Sequence, residues 1–289
     1  MPAMQFHKPT SLDEAIALLA SDPEAMPLAG GATLVAMMNA ELIEPSALVS
    51  LGAIDELQMV EAAADGGVRI GAMVCHAALA ADARLAAGHA VVRQAAAEIA
   101  HPTVRNIGTI GGAVAHGDPS SDLPAALVAA DAVIEAAGPA GRRDIAAEDF
   151  FEDYLTTALE EVEMVAAIRL PASPAGAAGH YEKFARVHGD YATLSVAVML
   201  AMAGGECSFT RIALAAAGPK PVRIEAAETR LVGSSLDDGA IADAANLLVE
   251  ASDPVDDVRG SAEFRLMLVP RLLARAIAVA RSQTEGGGA

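Results

Sequence analysis

Two short double-glycine loops, Ala29-Gly-Gly-Ala-Thr33 and Thr109-Ile-Gly-Gly-Ala113, constrain this chain more than any other feature. At the first, a short apolar run, Met26-Pro-Leu-Ala29, leads into Gly30-Gly31, and the stretch from Ala32 to Asn39 suits a helix. Glycine permits positive φ and lets a ligand come close to the backbone. Free N–H groups at a helix start then cradle an anion such as a pyrophosphate, and the Thr33 hydroxyl adds a donor. Taken alone, the pattern equally fits a plain strand–turn–helix corner. At the second, two glycines sit between apolar residues and His116-Gly-Asp-Pro-Ser-Ser-Asp122 follows. Ser120, Ser121 and Asp122 suit either a cap for the next helix or contacts to a ribose or phosphate. Two such loops, separated by a whole sheet segment, fit a dinucleotide lying between two subdomains. Neither carries the Lys-Ser/Thr ending of a Walker A loop, and neither is the G-x-G-x-x-G of a Rossmann site.

The elements around the loops divide the chain. Ser11-Leu-Asp-Glu14 is a capping box, followed by apolar Ile16, Leu18 and Leu19 at helical positions. With Met26–Ala29 and Ala47–Leu51 as strands, the first part alternates helix and strand, a small α/β unit. From Met59 the pattern changes. Two apolar runs flank Asp65-Gly66-Gly67, a hairpin signal. Helical spacing follows at Val91–Ala100 and Asp122–Ala130, and strands at Ala132–Ala137 and Glu163–Leu170, which predicts an antiparallel sheet with attached helices. Pro171–Gly179 is small, uncharged and flexible, and marks a boundary. Strands near Tyr181–Arg186, Thr193–Ala203 and Cys207–Ala216 come next, then helices near Glu225–Val232, Asp238–Glu250 and Ser261–Arg281.

Composition narrows the function class. The 289 residues suffice for one large domain or two smaller ones. Hydrophobic residues make up 53% and aromatics 3%, so aliphatic side chains and methionine fill the core. A net charge of −19 repels nucleic acid. Two cysteines, Cys75 and Cys207, are too few for an iron–sulfur cluster held by four thiolates or for a disulfide framework. Residues 1–8 lack the basic flank and apolar stretch of a secretory signal. The most apolar segment, Ala192–Gly204, falls short of the roughly 20 residues that span a bilayer. The expectation is a cytoplasmic protein.

The motifs resemble a known family over nearly the whole chain: the medium, FAD-binding subunit of the molybdenum hydroxylases, the xanthine dehydrogenase and aerobic carbon monoxide dehydrogenase group. The resemblance begins at Phe6-His-Lys-Pro-Thr-Ser-Leu-Asp-Glu-Ala15 and takes in Leu28-Ala-Gly-Gly-Ala-Thr-Leu34. It is strongest at Arg105-Asn-Ile-Gly-Thr-Ile-Gly-Gly-Ala-Val-Ala-His-Gly-Asp-Pro-Ser-Ser-Asp-Leu-Pro124. It continues through Ala167-Ile-Arg-Leu-Pro171, Tyr181-Glu-Lys-Phe-Ala-Arg186, Gly189-Asp-Tyr-Ala192 and Ala262-Glu-Phe-Arg265.

The resemblance implies an α+β fold. It consists of a vanillyl-alcohol-oxidase-type (PCMH-type) FAD-binding domain of two α/β subdomains, plus a C-terminal α/β domain with a three-stranded antiparallel sheet and helices. The corresponding boundaries are 1–176, with subdomains about 1–57 and 58–176, and 177–289. It implies that Ala29, Gly30, Gly31, Ala32 and Thr33, with Thr109, Ile110, Gly111, Gly112 and Ala113, bind the FAD pyrophosphate through backbone N–H groups. His116 and Asp122 then belong to the flavin site, Leu170 supplies an apolar contact, Lys183 reaches the cofactor, and Tyr191 lies near the isoalloxazine as the candidate catalytic side chain. The family often has a polar residue in place of Ala32 and Asn in place of Ala113. No metal site is expected here. The molybdenum cofactor and [2Fe-2S] clusters belong to partner subunits, a large and a small one, in a dimer of heterotrimers without a transmembrane segment. The implied role is electron relay from those clusters to a quinone, NAD or oxygen. Two other readings stay open: a self-contained flavin oxidoreductase, and a non-catalytic scaffold subunit that has lost FAD.

Overall fold

The computed structural model describes residues 4–286. The chain opens with β1 (Gln5–His7), α1 (Leu12–Ser21), β2 (Met26–Leu28), α2 (Leu34–Asn39) and β3 (Ala47–Ser50). The three strands form a parallel sheet in the order β1-β3-β2. At the start of α1 the Ser11 hydroxyl accepts from the Glu14 N–H, and the Glu14 carboxylate accepts from the Thr10 N–H. This satisfies two donors that a helix start leaves open. Leu12, Ala15, Ile16 and Leu19 then lie on one buried face, spaced as a 3.6-residue period requires. That face packs on Ala137, Met164 and Ala166 of the next sheet, so the first two units of the fold share one core.

The second unit runs through β4 (Val60–Ala62), β5 (Val68–Gly71), α3 (His76–Ala81), α4 (Ala90–Glu98), α5 (Pro102–Arg105), α6 (Ile110–His116) and α7 (Asp122–Ala129). It continues with β6 (Val133–Gly138), β7 (Gly141–Ala146), α8 (Ala147–Phe150), β8 (Phe151–Asp153), β9 (Thr156–Thr157) and β10 (Met164–Leu170). Five strands form an antiparallel sheet, β4-β5-β10-β6-β7. The β4–β5 turn is the expected Asp65-Gly66-Gly67: Gly66 takes φ +89, and the Asp65 carboxylate accepts from the Gly67 N–H at 2.9 Å. Strand β7 and helix α3 lie outside the sequence expectation.

The last unit holds β11 (Ala178–Phe184), β12 (Leu194–Ala203), β13 (Glu206–Ala215), α9 (Glu225–Leu231), α10 (Asp238–Glu250) and α11 (Ala262–Gly286). Its sheet is antiparallel, β11-β12-β13. Because side chains alternate across a strand, β12 serves two cores. Leu194, Val196, Val198 and Leu200 face the helices α9–α11, while Ala197 and Met199 join the core of the second unit. That double burial is why the segment is apolar throughout, without being a membrane span; no helix among the described residues is long and apolar enough to cross a membrane. Charges reinforce the junction. Asp131 pairs with Arg211 at 3.0 Å and with Arg223 at 2.6 Å, and both arginines also meet the buried Glu228.

The junction is tight enough to exclude a methyl group. A Cβ on Gly179, in β11, would overlap the Gly88 carbonyl oxygen and lie 2.8 Å from the Val91 nitrogen. Gly179→Ala is expected to lower the unfolding free energy by about 2 kcal/mol or more through overpacking. Gly204→Ala, in an open turn at φ +62 with nothing within 4 Å, is expected to cost about 1 kcal/mol, the penalty of a left-handed alanine. Urea denaturation of the two variants checks the order.

Candidate functional site

The two glycine loops touch. The bend after β2 lies against the chain just ahead of α6, and a Cβ on Gly30 would overlap the Ile107 carbonyl oxygen and sit 3.1 Å from Gly108 Cα. Gly30 is therefore dictated by backbone-on-backbone contact, and Gly31 by its φ of +77. Around this contact lies a cleft of about 480 Å³, within the roughly 300–1,000 Å³ usual for ligand sites. Ala29, Gly30, Gly31, Ala32, Thr33, Thr109, Gly111, Gly112, Ala113, His116, Asp122 and Tyr191 all line it. Three of the expected residues do not. Ile110 and Leu170 are buried in the core of the second unit, and Lys183 ends on Asp122.

The second glycine pair is the first turn of α6 rather than a loop. Thr109 is its N-cap, and its hydroxyl accepts from the Gly112 N–H at 3.1 Å. The Ile110 N–H donates to the Val74 carbonyl and the Gly111 N–H to the Ala72 carbonyl. The sequence reading gives N–H donors to both motifs; in the second these donors are engaged within the protein. Among the described residues, no protein acceptor meets the N–H groups of Gly31, Ala32 and Thr33. The motifs thus differ in kind: the first presents open donors, the second a bare surface. Gly111 is pressed on Ala72, whose Cβ would be 2.5 Å from an added Cβ. At Gly112 an added Cβ would meet only Thr109 Oγ1 at 3.1 Å and Ala29 Cβ at 3.7 Å, across the cleft.

Asp122, at the first position of α7, is 5% exposed. Its carboxylate accepts from the Tyr181 hydroxyl at 2.7 Å and from Lys183 Nζ at 3.0 Å, both from β11. Burial pushes the Asp122 carboxyl up, against the opposing pull of Lys183 and the Tyr181 hydroxyl. Lys183 also donates to the Glu98 carbonyl, so its charge is spent on the wall. The last unit reaches the cleft through Gly189-Asp190-Tyr191. Gly189, at φ +85, sits so close to Ala100 that a Cβ would lie 2.7 Å from the Ala100 carbonyl oxygen. Tyr191 is 40% exposed, with the Arg259 guanidinium 5.0 Å from its ring centre and Asp190 pairing with the same arginine at 3.4 Å.

His76, the first residue of α3, is absent from the sequence reading because it belongs to neither glycine motif; only contact with Gly108 brings it to the cleft. Burial, helped by the Arg105 charge, pulls its imidazole down to about 4. Among the described residues, the lining contains no Lys or Arg. Met26, Met37, Met73 and Met164 are among its apolar residues. Open N–H groups, a surface free of Cβ at Gly112 and a largely apolar lining without lysine or arginine suit a dinucleotide gripped by main chain.

Residues 2–173 match the family model described as FAD binding domain in molybdopterin dehydrogenase, and residues 179–280 match the CO dehydrogenase flavoprotein C-terminal domain. The chain belongs to this family of flavoprotein subunits. It is 39% identical to the carbon monoxide dehydrogenase medium chain of Afipia carboxidovorans, over 98% of each chain. It is 35% identical to the nicotine 6-hydroxylase medium subunit of Paenarthrobacter nicotinovorans, over 98% of this chain and 99% of the other. Among solved structures, reconstituted CO dehydrogenase from Oligotropha carboxidovorans superposes with a TM-score of 0.93 at 38% identity, covering 97% of this chain and 98% of that one. Family membership makes this chain an oxidoreductase subunit with FAD as its cofactor, and the α+β architecture with its small antiparallel C-terminal sheet is the family fold.

Two outcomes follow from the geometry. Gly112→Val is expected to fold and to lose flavin, because its side chain enters the cleft; Gly111→Ala is expected to lose stability by about 2 kcal/mol, because its Cβ strikes Ala72. Flavin absorbance and thermal melting of the two proteins separate the cases. The second outcome concerns acid. His76 titrates near 6.5 when unfolded and about 4 when folded, so between these values only the unfolded chain takes up the proton. Its contribution to stability is present above pH 6.5 and is lost as pH falls towards 4, roughly 3 kcal/mol in all. His76→Gln is expected to shrink the stability difference between pH 7 and pH 5 by about 2 kcal/mol, measured by urea unfolding at both.

Proposed function

We propose that this chain is the FAD-binding medium subunit of a molybdenum-containing hydroxylase or dehydrogenase, relaying electrons from iron–sulfur clusters of a partner subunit to an external acceptor such as a quinone, NAD or oxygen. The observation that carries the proposal is the meeting of both glycine motifs and the Tyr191 loop in one cleft. FAD bound there supplies exchange of one or two electrons. The chain's own residues bind and enclose. The open N–H groups of Gly31, Ala32 and Thr33 receive the pyrophosphate, with the surface at Gly112 leaving it room. Tyr191, whose ring is backed by Arg259, would stand beside the isoalloxazine. His116 and Asp122 line the same cleft. Lys183 and Leu170 act from behind it, the first by holding Asp122 and the second through the core.

Residues 1–176 form the FAD-binding unit, with subdomains at about 1–57 and 58–176, and residues 177–289 the C-terminal unit; the turn at Gly176 and the start of β11 support this division. The named relatives are medium chains or subunits of larger enzymes. This chain accordingly assembles in the cytoplasm with an iron–sulfur small subunit and a molybdenum-cofactor large subunit, as a dimer of heterotrimers. The scaffold reading rests on Ala32 and Ala113, but the Ala32 N–H is one of the open donors of the first motif, and such a main-chain grip survives loss of side-chain donors.

Acid precipitation of the purified chain is expected to release FAD into the supernatant, and the chain alone is expected to reduce no dye with candidate organic substrates, turning over only with both partner subunits added. Flavin retained in the pellet, or substrate-dependent turnover by the isolated chain, would count against this reading.

A further inference from the structure

His76 is a side chain without an internal purpose. It is 4% exposed, and its Nδ1 is sealed from solvent with no hydrogen-bond partner among the described residues. Nevertheless its ring lines the cleft. The ring edge carrying Nε2 lies over Gly108: a Cβ there would come within 2.9 Å of Cδ2 and 3.0 Å of Nε2. Gly108 is also the residue on which Gly30 rests, at 3.1 Å from a Gly30 Cβ to Gly108 Cα. The imidazole therefore stands at the seam of the two glycine motifs, in the same cleft that Gly31, Ala32 and Thr33 line.

The tautomer follows from the same facts. A neutral imidazole carries one N–H. A sealed N–H without an acceptor costs more than a sealed lone pair, so the hydrogen resides on Nε2 and Nδ1 is the bare nitrogen. The ring cannot serve as a cation, since Arg105 lies close by and burial disfavours the charge. The main-chain amide holds it in place: the His76 N–H donates to the Gly108 carbonyl at 3.0 Å.

We propose that His76 Nε2–H is a ligand-binding donor, giving a hydrogen bond to a pyrophosphate oxygen of the dinucleotide held in the cleft. The inference rests on the FAD reading and extends it to a residue outside both motifs. It explains why the position tolerates a buried, half-unpartnered ring: the missing partner is the ligand. It also explains Gly108, which leaves room for the ring edge.

The test uses the full chain stripped of flavin, with FAD as the probe. FAD affinity is measured by fluorescence quenching for the wild type, His76→Leu and His76→Gln, with melting curves of the stripped proteins as the control for folding. Loss of a hydrogen bond to a charged oxygen is expected to weaken FAD about ten-fold or more in His76→Leu. His76→Gln, whose amide N–H reaches near the Nε2 position, is expected to recover most of the affinity. In wild-type protein carrying 15N-labelled histidine, the His76 Nε2 resonance is expected to show a bound hydrogen and to shift on saturation with FAD. Wild-type affinity in a folded His76→Leu, or an Nε2 resonance unmoved by FAD, overturns the proposal. Should His76→Leu not fold, the Gln variant and the nitrogen resonance decide. A wild-type chain that binds no FAD at all would instead overturn the parent reading.

Discussion

The backbone at Gly30 rests directly on the Ile107 carbonyl, with no side chain between them. Everything in the cleft depends on that approach. Any larger residue at position 30 would push the first glycine loop off the Ile107 carbonyl and away from the chain ahead of α6. The approach is in turn set from below, where α1 and β3 share a core with Met164, Ala166 and Ala137 of the antiparallel sheet. Two sheets of different kinds are thus joined by ordinary apolar packing, and residues of both line the cleft.

The C-terminal unit closes the third side, and it does so by crossing rather than by covering. Tyr181 and Lys183 from β11 end on Asp122 of α7, which places three polar groups in a region with almost no water. Burying a carboxylate is costly unless its oxygens are satisfied, and here both are. The result is a fixed wall: α7 cannot shift without breaking the pair. Ahead of β12, the Gly189–Tyr191 segment is pinned by Ala100 on one side and Arg259 on the other. Tyr191 owes its place to two units at once, which is why neither its neighbours in sequence nor its own character explains it.

What could be read from the residues was what local chemistry decides. The Ser11–Glu14 capping box and the Asp65–Gly67 turn each form through contacts a few residues apart, and each stands where the pattern puts it. Strand β7 was hidden because Arg142, Arg143 and Asp144 lie exposed on its outer positions and only Ile145 turns inward. Helix α6 was hidden because two consecutive glycines oppose helix formation; tertiary contacts to Ala72 and Val74 override that preference. In the cleft, the glycine motifs, Asp122 and Tyr191 were legible through motif resemblance. The engagement of Lys183 with Asp122 and Glu98, the inward packing of Leu170 and the presence of His76 were not, because each depends on a partner roughly thirty to a hundred residues away.

The charge of the protein gives this division a physical meaning. On the proposed reading, a chain of net charge −19 would hold an anionic ligand in a cleft whose described lining includes Asp122, Glu163 and Asp190 but no lysine or arginine. The cations close by are committed elsewhere: Lys183 to Asp122, Arg105 to the carbonyls of Ile99 and Ala100, Arg259 to Asp190 and Asp257. Attraction between whole charges therefore does not select the ligand. Oriented dipoles would, because N–H groups fixed by the fold solvate an anion without bringing a counter-charge that must itself be desolvated. Such a grip works only if the backbone can reach the ligand, and reach is what Gly30, Gly31 and Gly112 provide. It also follows that Ala32 and Ala113 need no polar side chain: in a site held by main chain, the demand on those positions is to stay small.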